Sequence, residues 1–324
     1  MIHSPSQKSY ALFVRNSYGD LLMTDPLIKF IKNLNHKNEI TLFVDDKNFQ
    51  LVEFMENIDN YYIIPSKGNK YLLFIYFGLK YRKNKYDVSI AAKTGVGSSN
   101  GFFQFFLGAT ERIAYVLPNK KWTDRLVNRP VNYSEELYEN QHYALSVLQL
   151  LDNTFLKIPK AFYPKLNNHF IRKINDKPKL LVSVSNNRAT SLLNNSTIAS
   201  IINKLSTNFD FDLCISCLKS NKDKAIKLQN IIKQKSMVHS SLKLEKFISL
   251  LGESDICLLG DGGSMHIAAA LGIDQIVLFG ETSEITWAPI SEKAIVLRDD
   301  LDVNNIPEAQ IFEALKKKLI QVSS

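Results

Sequence analysis

The chain has 324 residues, of which 45% are hydrophobic and 22% charged, and it contains three cysteines. These values exclude an intrinsically disordered chain and provide for two domains of ordinary size. Three cysteines exclude a disulfide framework and favour a reducing compartment. The net charge of +8 lies entirely in the first half, because residues 1–174 hold 23 basic and 15 acidic residues, whereas residues 175–324 hold 17 of each.

No stretch of the sequence predicts a membrane span. The longest apolar run, residues 71–79, is about half of the ~18 residues that a bilayer requires, and cations follow it directly. The first residues lack the apolar core of a signal peptide. We therefore expect a soluble cytoplasmic protein, whose cations still allow contact with a membrane surface.

The first half alternates the patterns of strands and helices. Residues 10–15 form a continuous apolar run, typical of a buried strand, and polar residues 16–20 predict a loop after it. Helical spacing then places Leu27, Phe30 and Ile31 on one face together with Leu34. Further strands are predicted at 39–44, 62–64 and 87–92, and a further helix at 50–57.

The same alternation restarts near residue 179. Strands are predicted at 179–184, 211–218, 255–259 and 275–279, with helices at 198–205, 222–233 and 265–271. Between the halves, residues 158–178 hold three prolines and little periodicity, which is typical of a linker. We predict an α/β fold with two domains, residues 1–165 and 176–324, each a parallel sheet covered by helices. A ligand is expected in the cleft between them, at the carboxyl ends of the strands.

The strongest chemical motif is a glycine-rich turn between a buried strand and a helix of small residues. Asp261 precedes Gly262, Gly263 and Ser264, and His266 falls in the first turn of the helix. Glycine permits close backbone approach, and a helix N-terminus offers N–H groups and partial positive charge to phosphate. The motif predicts a phosphate or diphosphate cradle, and the alternative is a purely structural turn.

Three sets of residues point to a known family. In chain order they are Gly19-Asp20 with Pro26, residues 86–90 with 108–113, and residues 261–272 with 275–280, Trp287 and Pro289. They resemble the motifs of the ADP-heptose:lipopolysaccharide heptosyltransferases, glycosyltransferase family 9. The resemblance covers most of the chain and implies the GT-B fold, in which two Rossmann-like domains face each other across a central cleft.

The resemblance also implies roles for individual residues. Asp20 matches the family's proposed catalytic base, which takes the proton of the acceptor hydroxyl as that hydroxyl attacks the anomeric carbon. From its residue type alone, Asp20 would be interpreted as the N-cap of the following helix, and the resemblance favours the base. The positions that would hold the sugar and diphosphate of the donor are Asp261, Gly262, Gly263, Ser264 and His266. No cluster of His, Cys and carboxylates has metal-ligand spacing, so neither a metal nor any cofactor besides the donor substrate ADP-heptose is expected.

The loop at residues 185–193 departs from the family pattern. The family usually carries a lysine there that neutralises the donor diphosphate, and this loop contains none. Its one cation is Arg188, which is either a bidentate clamp for the diphosphate or a solvated loop residue. Because of this departure, a GT-B enzyme with a different nucleotide-sugar, either another transferase or an epimerase, is kept as an alternative.

Cations and aromatic residues are interleaved between residues 67 and 93. The seven cations, set against the single acid Asp87, are Lys67, Lys70, Lys80, Arg82, Lys83, Lys85 and Lys93. A second basic cluster, residues 112–129, includes Arg112, Lys120, Lys121 and Arg125 beside Trp122. Such mixtures suit membrane headgroups or nucleic acid, and a solvated charged face is the alternative. The resemblance favours an anionic glycolipid acceptor at a membrane surface over nucleic acid.

Together these features predict an inverting, metal-independent glycosyltransferase that moves heptose from ADP-heptose to a lipopolysaccharide or lipooligosaccharide core acceptor. We expect it to be peripherally associated with the inner membrane of a Gram-negative bacterium. The other candidate is a non-catalytic polyanion-binding protein. Two further expectations are structural: Cys214 and Cys217 lie on opposite sides of a strand and serve packing, and the helix at 307–320 is a candidate to return to the first domain.

Overall fold

A computed structural model of the protein describes residues 6–15, 17–93, 100–117, 122–134, 139–167 and 177–323. The chain divides into two compact units, Met1–Pro164 and Lys165–Ser324. Each unit contains a six-stranded sheet whose strands pair in parallel, which confirms the predicted α/β class. The division falls within the predicted linker, of which residues 168–176 lie outside the described residues.

The first unit begins with a strand and alternates strands with helices. Its strands are β1 (Ser9–Phe13), β2 (Glu39–Asp45), β3 (Asn60–Ile64), β4 (Val88–Ala91), β5 (Glu111–Val116) and β6 (Arg129–Asn132). The helices within its described residues are α1 (Tyr18–Leu22), α2 (Asp25–Leu34), α3 (Phe49–Val52), α4 (Lys70–Tyr81), α5 (Asn100–Leu107) and α6 (Tyr143–Gln149). The order across the sheet is β3-β2-β1-β4-β5-β6, so the first strand of the unit lies at its centre.

The second unit repeats this architecture. Its strands are β7 (Lys179–Ser183), β8 (Asp212–Cys217), β9 (Ser236–Ser240), β10 (Ile256–Gly260), β11 (Asp274–Phe279) and β12 (Ala294–Arg298). Its described helices are α7 (Asn195–Leu205), α8 (Lys222–Ile231), α9 (Leu244–Gly252), α10 (Gly263–Ala270), α11 (Glu284–Trp287) and α12 (Glu308–Ser323). The order β12-β11-β10-β7-β8-β9 is the order of the first sheet, counted from the other edge.

The shared strand order fixes where each sheet can hold a ligand. The first strand of each unit pairs with the fourth, β1 with β4 and β7 with β10. At that pair the strand order reverses, so the connections that follow leave in opposite directions and open a crevice at the carboxyl ends. In this doubly wound arrangement the loops after β1, β4, β7 and β10 are the expected site elements.

Several predicted elements differ from the structure. The predicted loop at 16–20 contains the start of α1, and the predicted helix at 50–57 is reduced to the single turn α3, with Asn57 in the left-handed region at φ 66°. The apolar run at 71–79, for which the sequence predicts no particular element, is α4, and the Asn69 side chain caps it by accepting from the Tyr71 and Leu72 N–H groups. The edge strands β9 and β12 were not predicted. β9 lacks a continuous apolar run, whereas β12 contains one at residues 294–297 but is only partly buried.

The last helix, α12, belongs to the second unit. In the sequence it is a candidate to return to the first domain, but its buried residues Ile311, Leu315 and Leu319 lie in the core of the second unit. That core also contains strand residues of β7, β8 and β10, so the helix covers one face of the second sheet. The apolar spacing of these three residues, four and four apart, accounts for the face that the helix buries.

The cysteines of β8 confirm the packing role predicted for them. Cys214 is fully buried, Cys217 is 8% exposed, and both are free thiols, as is Cys257 in β10. Burial in the apolar strand raises the pKa of the Cys214 thiol. These thiols therefore contribute to the core of the second unit as small apolar groups.

Candidate functional site

The glycine turn after β10 is held against the loop that follows β7. At Gly260, the last residue of β10, an added Cβ would lie 2.5 Å from the Ser191 carbonyl oxygen. At Gly280, just after β11, it would lie 2.6 Å from the Thr190 carbonyl oxygen. Both strand ends therefore require glycine, because the backbone of the β7 loop lies directly on them. This contact places the loop at the carboxyl edge of the second sheet, over the crevice between β7 and β10.

Asp261 is the centre of a polar network in this crevice. Its buried carboxylate accepts from the Arg188 guanidinium, with Nη1 2.6 Å from Oδ2. Its backbone carbonyl accepts from the Asn186 side-chain amide at 2.6 Å. The same Asn186 accepts from the Arg188 N–H through Oδ1 at 3.0 Å. Three residues from two loops are thus joined in one closed set of hydrogen bonds.

The start of α10 supplies the positive end of a helix to the same place. Gly262 is the N-cap residue, in extended conformation, and no side chain caps the helix there. The first N–H groups of a helix have no partner within the helix, so those of Gly263 and Ser264 are suited to an anion. His266 follows in the first turn, 5% exposed and held by protein contacts. The structure therefore brings together all the predicted donor-binding residues, Arg188 included.

The charges of this site are arranged to receive an anion. The Arg188 side chain is 46% exposed although it pairs with a carboxylate that is 5% exposed. One nitrogen of the guanidinium is used by Asp261, and its remaining N–H groups present a fork of donors toward solvent. A diphosphate at the start of α10 would meet these donors and the helix N–H groups together. Such an arrangement can stabilise a phosphate leaving group.

Sequence reasoning missed two contributors to this network. Asn186 lies in the loop where the resemblance implies a lysine, but an asparagine in a polar loop has no pattern that distinguishes it from a turn residue. Thr190 donates to Glu281 Oε1 at 2.9 Å, which ties the same loop to the residue after Gly280. The signal that the sequence did contain is the glycine at the end of each strand, Gly260 and Gly280, because glycine permits another segment to approach closely.

Asp20 lies after β1, at the equivalent edge of the first sheet. Ser17 is the N-cap of α1, and Asp20 is the third helical residue, so the two form a capping box. The Ser17 hydroxyl and N–H donate to Asp20 Oδ2 at 2.6 and 3.1 Å, and the Asp20 N–H donates to Ser17 Oγ at 3.4 Å. The interpretation of Asp20 as the N-cap itself is thereby corrected. Both bonds from Ser17 end on Oδ2, so the carboxylate is fixed in orientation through one oxygen.

A second charged group occupies the same edge of the first unit. Arg15 follows β1, donates from Nη2 to the Pro65 carbonyl at 3.0 Å, and lies with Nε 3.8 Å from Asp45 Oδ2. Burial raises the pKa of Asp45, against the lowering effects of the Lys47 N–H and of Arg15. Because Arg15 is committed to the ends of β2 and β3, it braces this edge of the sheet. No sequence motif had indicated a role for Arg15.

The predicted acceptor-facing cations divide into two groups. The exposed group contains Lys67, Lys70, Lys80, Arg82, Lys83, Lys85 and Lys93. Arg112 is different, because its guanidinium donates to the Leu126 and Ala109 carbonyls at 2.7 and 2.9 Å and burial lowers its pKa. We therefore assign Arg112 a structural role beside β5. Lys120 and Lys121 lie outside the described residues.

The described residues contain neither a membrane-spanning helix nor a metal-binding cluster. None of their helices combines the length and the apolar character needed to cross a membrane. Within the same part of the chain, no group of three or more His, Cys, Asp and Glu side chains is placed to hold a metal ion. The candidate groups described above are the polar network around Asp261 in the second unit and the Asp20 carboxylate in the first.

Comparison with known proteins adds a family to this geometry. The family model described as glycosyltransferase family 9 (heptosyltransferase) matches residues 77–318. A lipopolysaccharide heptosyltransferase 1 of Campylobacter coli is 22% identical over an alignment of 343 residues, gaps included. The alignment covers 95% of this chain and 98% of that protein. The relationship therefore extends over both units.

Two solved structures share the fold. A family 9 glycosyl transferase from Veillonella parvula gives a TM-score of 0.81 at 13% identity, with 97% of each chain covered. The ADP-heptose lps heptosyltransferase II of E. coli gives a TM-score of 0.79 at 14% identity, covering 98% of this chain and all of that chain, 100%. The fold is thus GT-B-like, as predicted. Because the family model spans most of the sequence, the chain belongs to glycosyltransferase family 9, the heptosyltransferases.

Proposed function

We propose that this glycosyltransferase transfers heptose from ADP-heptose to a lipopolysaccharide or lipooligosaccharide core acceptor, with inversion at the anomeric carbon. Membership of the heptosyltransferase family supports the reaction class. The name of the Campylobacter coli relative supports the acceptor class, and the name of the E. coli structure supports the donor. The proposal assigns the donor to the second unit and the catalytic base to the first.

The observation that carries the proposal is the pairing of Arg188 with Asp261 beside the start of α10. A nucleotide-sugar carries its sugar on a diphosphate, and a further negative charge develops on that group as the glycosidic bond breaks. The guanidinium and the helix N–H groups supply compensating positive charge at one place. We propose that they do so without a metal ion, with Arg188 in the part that a lysine plays in the family pattern.

The proposed reaction is a single displacement. The acceptor hydroxyl oxygen forms a bond to the anomeric carbon from the face opposite the diphosphate. The bond from that carbon to the phosphate oxygen breaks, and ADP departs with the bonding electron pair. The Asp20 carboxylate takes the hydroxyl proton, so charge does not build up on the attacking oxygen. The capping box with Ser17 holds Oδ2 of that carboxylate in one orientation.

We propose that the acceptor binds at the exposed cations of the first unit and that the enzyme works at the cytoplasmic side of the inner membrane. The exposed cations between Lys67 and Lys93 would face the carboxylates and phosphates of an anionic glycolipid. They would also raise the local concentration of such an acceptor by long-range attraction. The second unit needs no such field, because its donor is held by a local network.

A donor panel tests the proposed substrate. Purified protein is given ADP-heptose, ADP-glucose, UDP-glucose and UDP-N-acetylglucosamine, each with a deacylated, water-soluble core oligosaccharide as acceptor. We expect one heptose mass to be added to the acceptor from ADP-heptose, with turnover unchanged by a chelator. Transfer from a uridine nucleotide with none from ADP-heptose would assign the enzyme to a different nucleotide-sugar.

Removal of the base gives the mechanistic test. Asp20→Asn should lower kcat by about 10²- to 10⁴-fold, the usual contribution of a general base, and leave the Kd for ADP unchanged. Since Asp20 also belongs to a capping box, Ser17→Ala is the matched control. It removes the hydroxyl cap at a stability cost of about 1 kcal/mol but keeps the carboxylate and its bond from the Ser17 N–H, so we expect a much smaller loss of kcat. If both variants lost the same activity, Asp20 would act through the fold of α1 and not as a base.

A further inference from the structure

Helix α4 presents an apolar face to solvent. Leu72, Tyr76 and Leu79 are 65%, 59% and 50% exposed. Their spacing of four and then three residues places them on one side of the helix. We call these three residues the outward face of α4. Large exposed apolar side chains are ordinary when they are scattered, whereas a row on one helix indicates a partner.

The opposite side of α4 is already fully used. Phe74 and Gly78 are buried, and an added Cβ at Gly78 would lie 2.7 Å from Phe106 Cβ of the neighbouring helix α5. The backbone of α4 at Gly78 therefore packs directly against the Phe106 side chain of α5. This contact fixes the rotation of α4 about its own axis, with the outward face toward solvent. The outward face is a fixed property of the folded unit.

Aromatic side chains continue this surface beyond α4. Phe102 of α5 is in ring contact with both Tyr71 and Trp122, at centroid distances of 5.5 and 5.9 Å. Trp122 is 65% exposed, and Phe105 on α5 is also exposed. Tyrosine and tryptophan are the residues that prefer the boundary between lipid and water. Ring contacts thus link the start of α4, at Tyr71, to α5 and to the turn at Trp122.

Positive charge surrounds the outward face without any acidic neighbour in the sequence. Residues 60–86 contain no Asp or Glu, and six cations, which are Lys67, Lys70, Lys80, Arg82, Lys83 and Lys85. Lys80 Nζ lies 5.3 to 5.8 Å from the ring centroids of Tyr76, Phe77 and Tyr81, and Lys80 is exposed, so its charge stays at the surface beside these rings. Helix α5 carries no charged residue at all.

We propose that the outward face of α4 docks on an anionic lipid bilayer, with the helix lying parallel to the membrane surface. Leu72, Tyr76 and Leu79 enter the boundary between headgroups and acyl chains, and the surrounding cations contact lipid phosphates. A 12-residue helix is too short to span the bilayer, which leaves the interfacial position. The proposal concerns the bilayer itself and deepens the membrane placement under the proposed function, on which it rests.

Two other occupants fit this surface less well. A second copy of the chain would bring six cations against six, with no acids in residues 60–86 to pair them. Single-stranded nucleic acid needs flat aromatic platforms, whereas two of the three outward residues are leucines. An anionic bilayer satisfies both the aliphatic residues and the charge.

Vesicle co-sedimentation of the full chain tests the proposal. The vesicles contain phosphatidylethanolamine and phosphatidylglycerol in equal parts, or phosphatidylcholine alone, and no glycolipid acceptor. We expect binding to the anionic vesicles, weakened by salt, and little binding to phosphatidylcholine. Leu72→Ser, Tyr76→Ser and Leu79→Ser combined should lower the partition coefficient by about a hundredfold, since each lost apolar contact is worth a factor of about five.

A second triple variant controls for the loss of exposed apolar area. Leu156→Ser, Ile231→Ser and Ile320→Ser replace side chains elsewhere that are 89%, 50% and 49% exposed, and they should leave vesicle binding unchanged. Equal losses from both triple variants would overturn the proposal, as would wild-type protein that binds only vesicles to which the glycolipid acceptor has been added. Binding that depends on cations alone would overturn the role of the outward face.

Transferase activity on the deacylated, water-soluble acceptor separates this proposal from the proposed function. The outward-face variant should keep wild-type turnover with that acceptor and lose it only with acceptor embedded in vesicles. A wild-type chain that binds anionic vesicles but transfers no heptose would contradict the proposed function and leave docking intact. A chain that transfers heptose but ignores lipid vesicles would contradict docking alone.

Discussion

The two units share one topology and differ in what they add to it. Both sheets place their first strand beside their fourth, so each opens a crevice at the same edge. The first unit carries seven exposed cations between residues 67 and 93 and exposes an apolar helix face, whereas the second joins the loops of its crevice by hydrogen bonds. A shared strand order thus supports a broad surface in one unit and a compact network in the other, because their loops and helix exteriors differ.

The contrast is clearest in the loop after the first strand of each unit. After β1 the chain enters α1 at once, through the capping box of Ser17 and Asp20. After β7 it takes a longer path through the 3-10 turn Ala189–Ser191, which lies on Gly260 and Gly280. One unit therefore presents a carboxylate at its crevice and the other a guanidinium. Variants in these loops show whether the two roles are separable.

The largest effect is expected at Gly260. Gly260→Ala places a methyl 2.5 Å from the Ser191 carbonyl and 3.0 Å from the Asn186 amide, so the β7 loop must move off the turn. We expect about 2 kcal/mol of lost stability and at least roughly a hundredfold weaker ADP binding, measured by denaturation and calorimetry. Gly78→Ala in the first unit is the matched change, with a comparable clash at Phe106. It should destabilise the fold but leave ADP affinity unchanged, and equal loss of ADP binding in both would erase the contrast.

The next largest effect is expected from Arg188. Arg188→Ala removes the guanidinium and leaves the buried Asp261 carboxylate without its 2.6 Å partner, close to the diphosphate. ADP affinity should fall by about tenfold to a hundredfold, the value of a charge-assisted hydrogen bond. Arg188→Lys should restore part of it. A contrary result would be normal ADP binding by Arg188→Ala, with loss of binding only in the double variant that also carries Asp261→Ala. The diphosphate would then be held by the helix N-terminus and not by the guanidinium.

A smaller effect is expected from Asn186, which we regard as a positioning residue. Asn186→Ala breaks the bonds to the Asp261 carbonyl and the Arg188 N–H, so the guanidinium loses its fixed direction. We expect about fivefold weaker ADP binding, with kcat less affected than KM. Asn186→Asp keeps the acceptor for the Arg188 N–H but not the donor to the Asp261 carbonyl, and it should resemble the alanine variant. Full affinity in Asn186→Asp would show that the contact with the turn is dispensable.

The smallest effect concerns acid stability of the second unit. Burial lowers the pKa of His239 in the edge strand β9, with a further lowering by Lys179. The unfolded chain therefore binds this proton first, so stability is lost as pH falls through the usual histidine range near 6.5. His239→Gln should reduce the decrease in Tm between about pH 7 and about pH 5. His36→Gln, an exposed position in the first unit, controls for histidine removal, and identical pH profiles of all three proteins would refute the assignment.

Most buried strands and the glycine turn were predictable from the sequence because they follow from local rules, although the buried strand β5 was not among the predicted elements. The central strands β1, β7 and β10 are continuous apolar runs, and the turn after β10 combines glycines with the start of a small-residue helix. The edge strand β9 was not predictable, since its partly exposed residues form no such run. Helix α4 was ambiguous because apolar residues occur on every side of it.

The candidate site divides in the same way. Asp20 and the turn at Asp261 stand in motifs, so the sequence alone was enough to single them out. The role of Asn186 depends on a hydrogen bond between residues 75 apart in the chain, and no local pattern encodes that distance. The capping box of Ser17 and Asp20 is an intermediate case. Its residue spacing can be read from the sequence, but whether the box forms depends on where α1 begins.

The ion pair of Arg188 and Asp261 gives the crevice of the second sheet a charge balance of its own. For the proposed reaction, a diphosphate would share the Arg188 guanidinium with the resident Asp261 carboxylate, which uses only one of its nitrogens. Arrival of the donor and departure of ADP would therefore leave the ion pair in place, and neither event would leave Asp261 as an unpaired buried charge. A guanidinium whose charge is already partly balanced attracts ADP less strongly than an unpaired one, so we expect the same ion pair to ease release of the product before the next turnover.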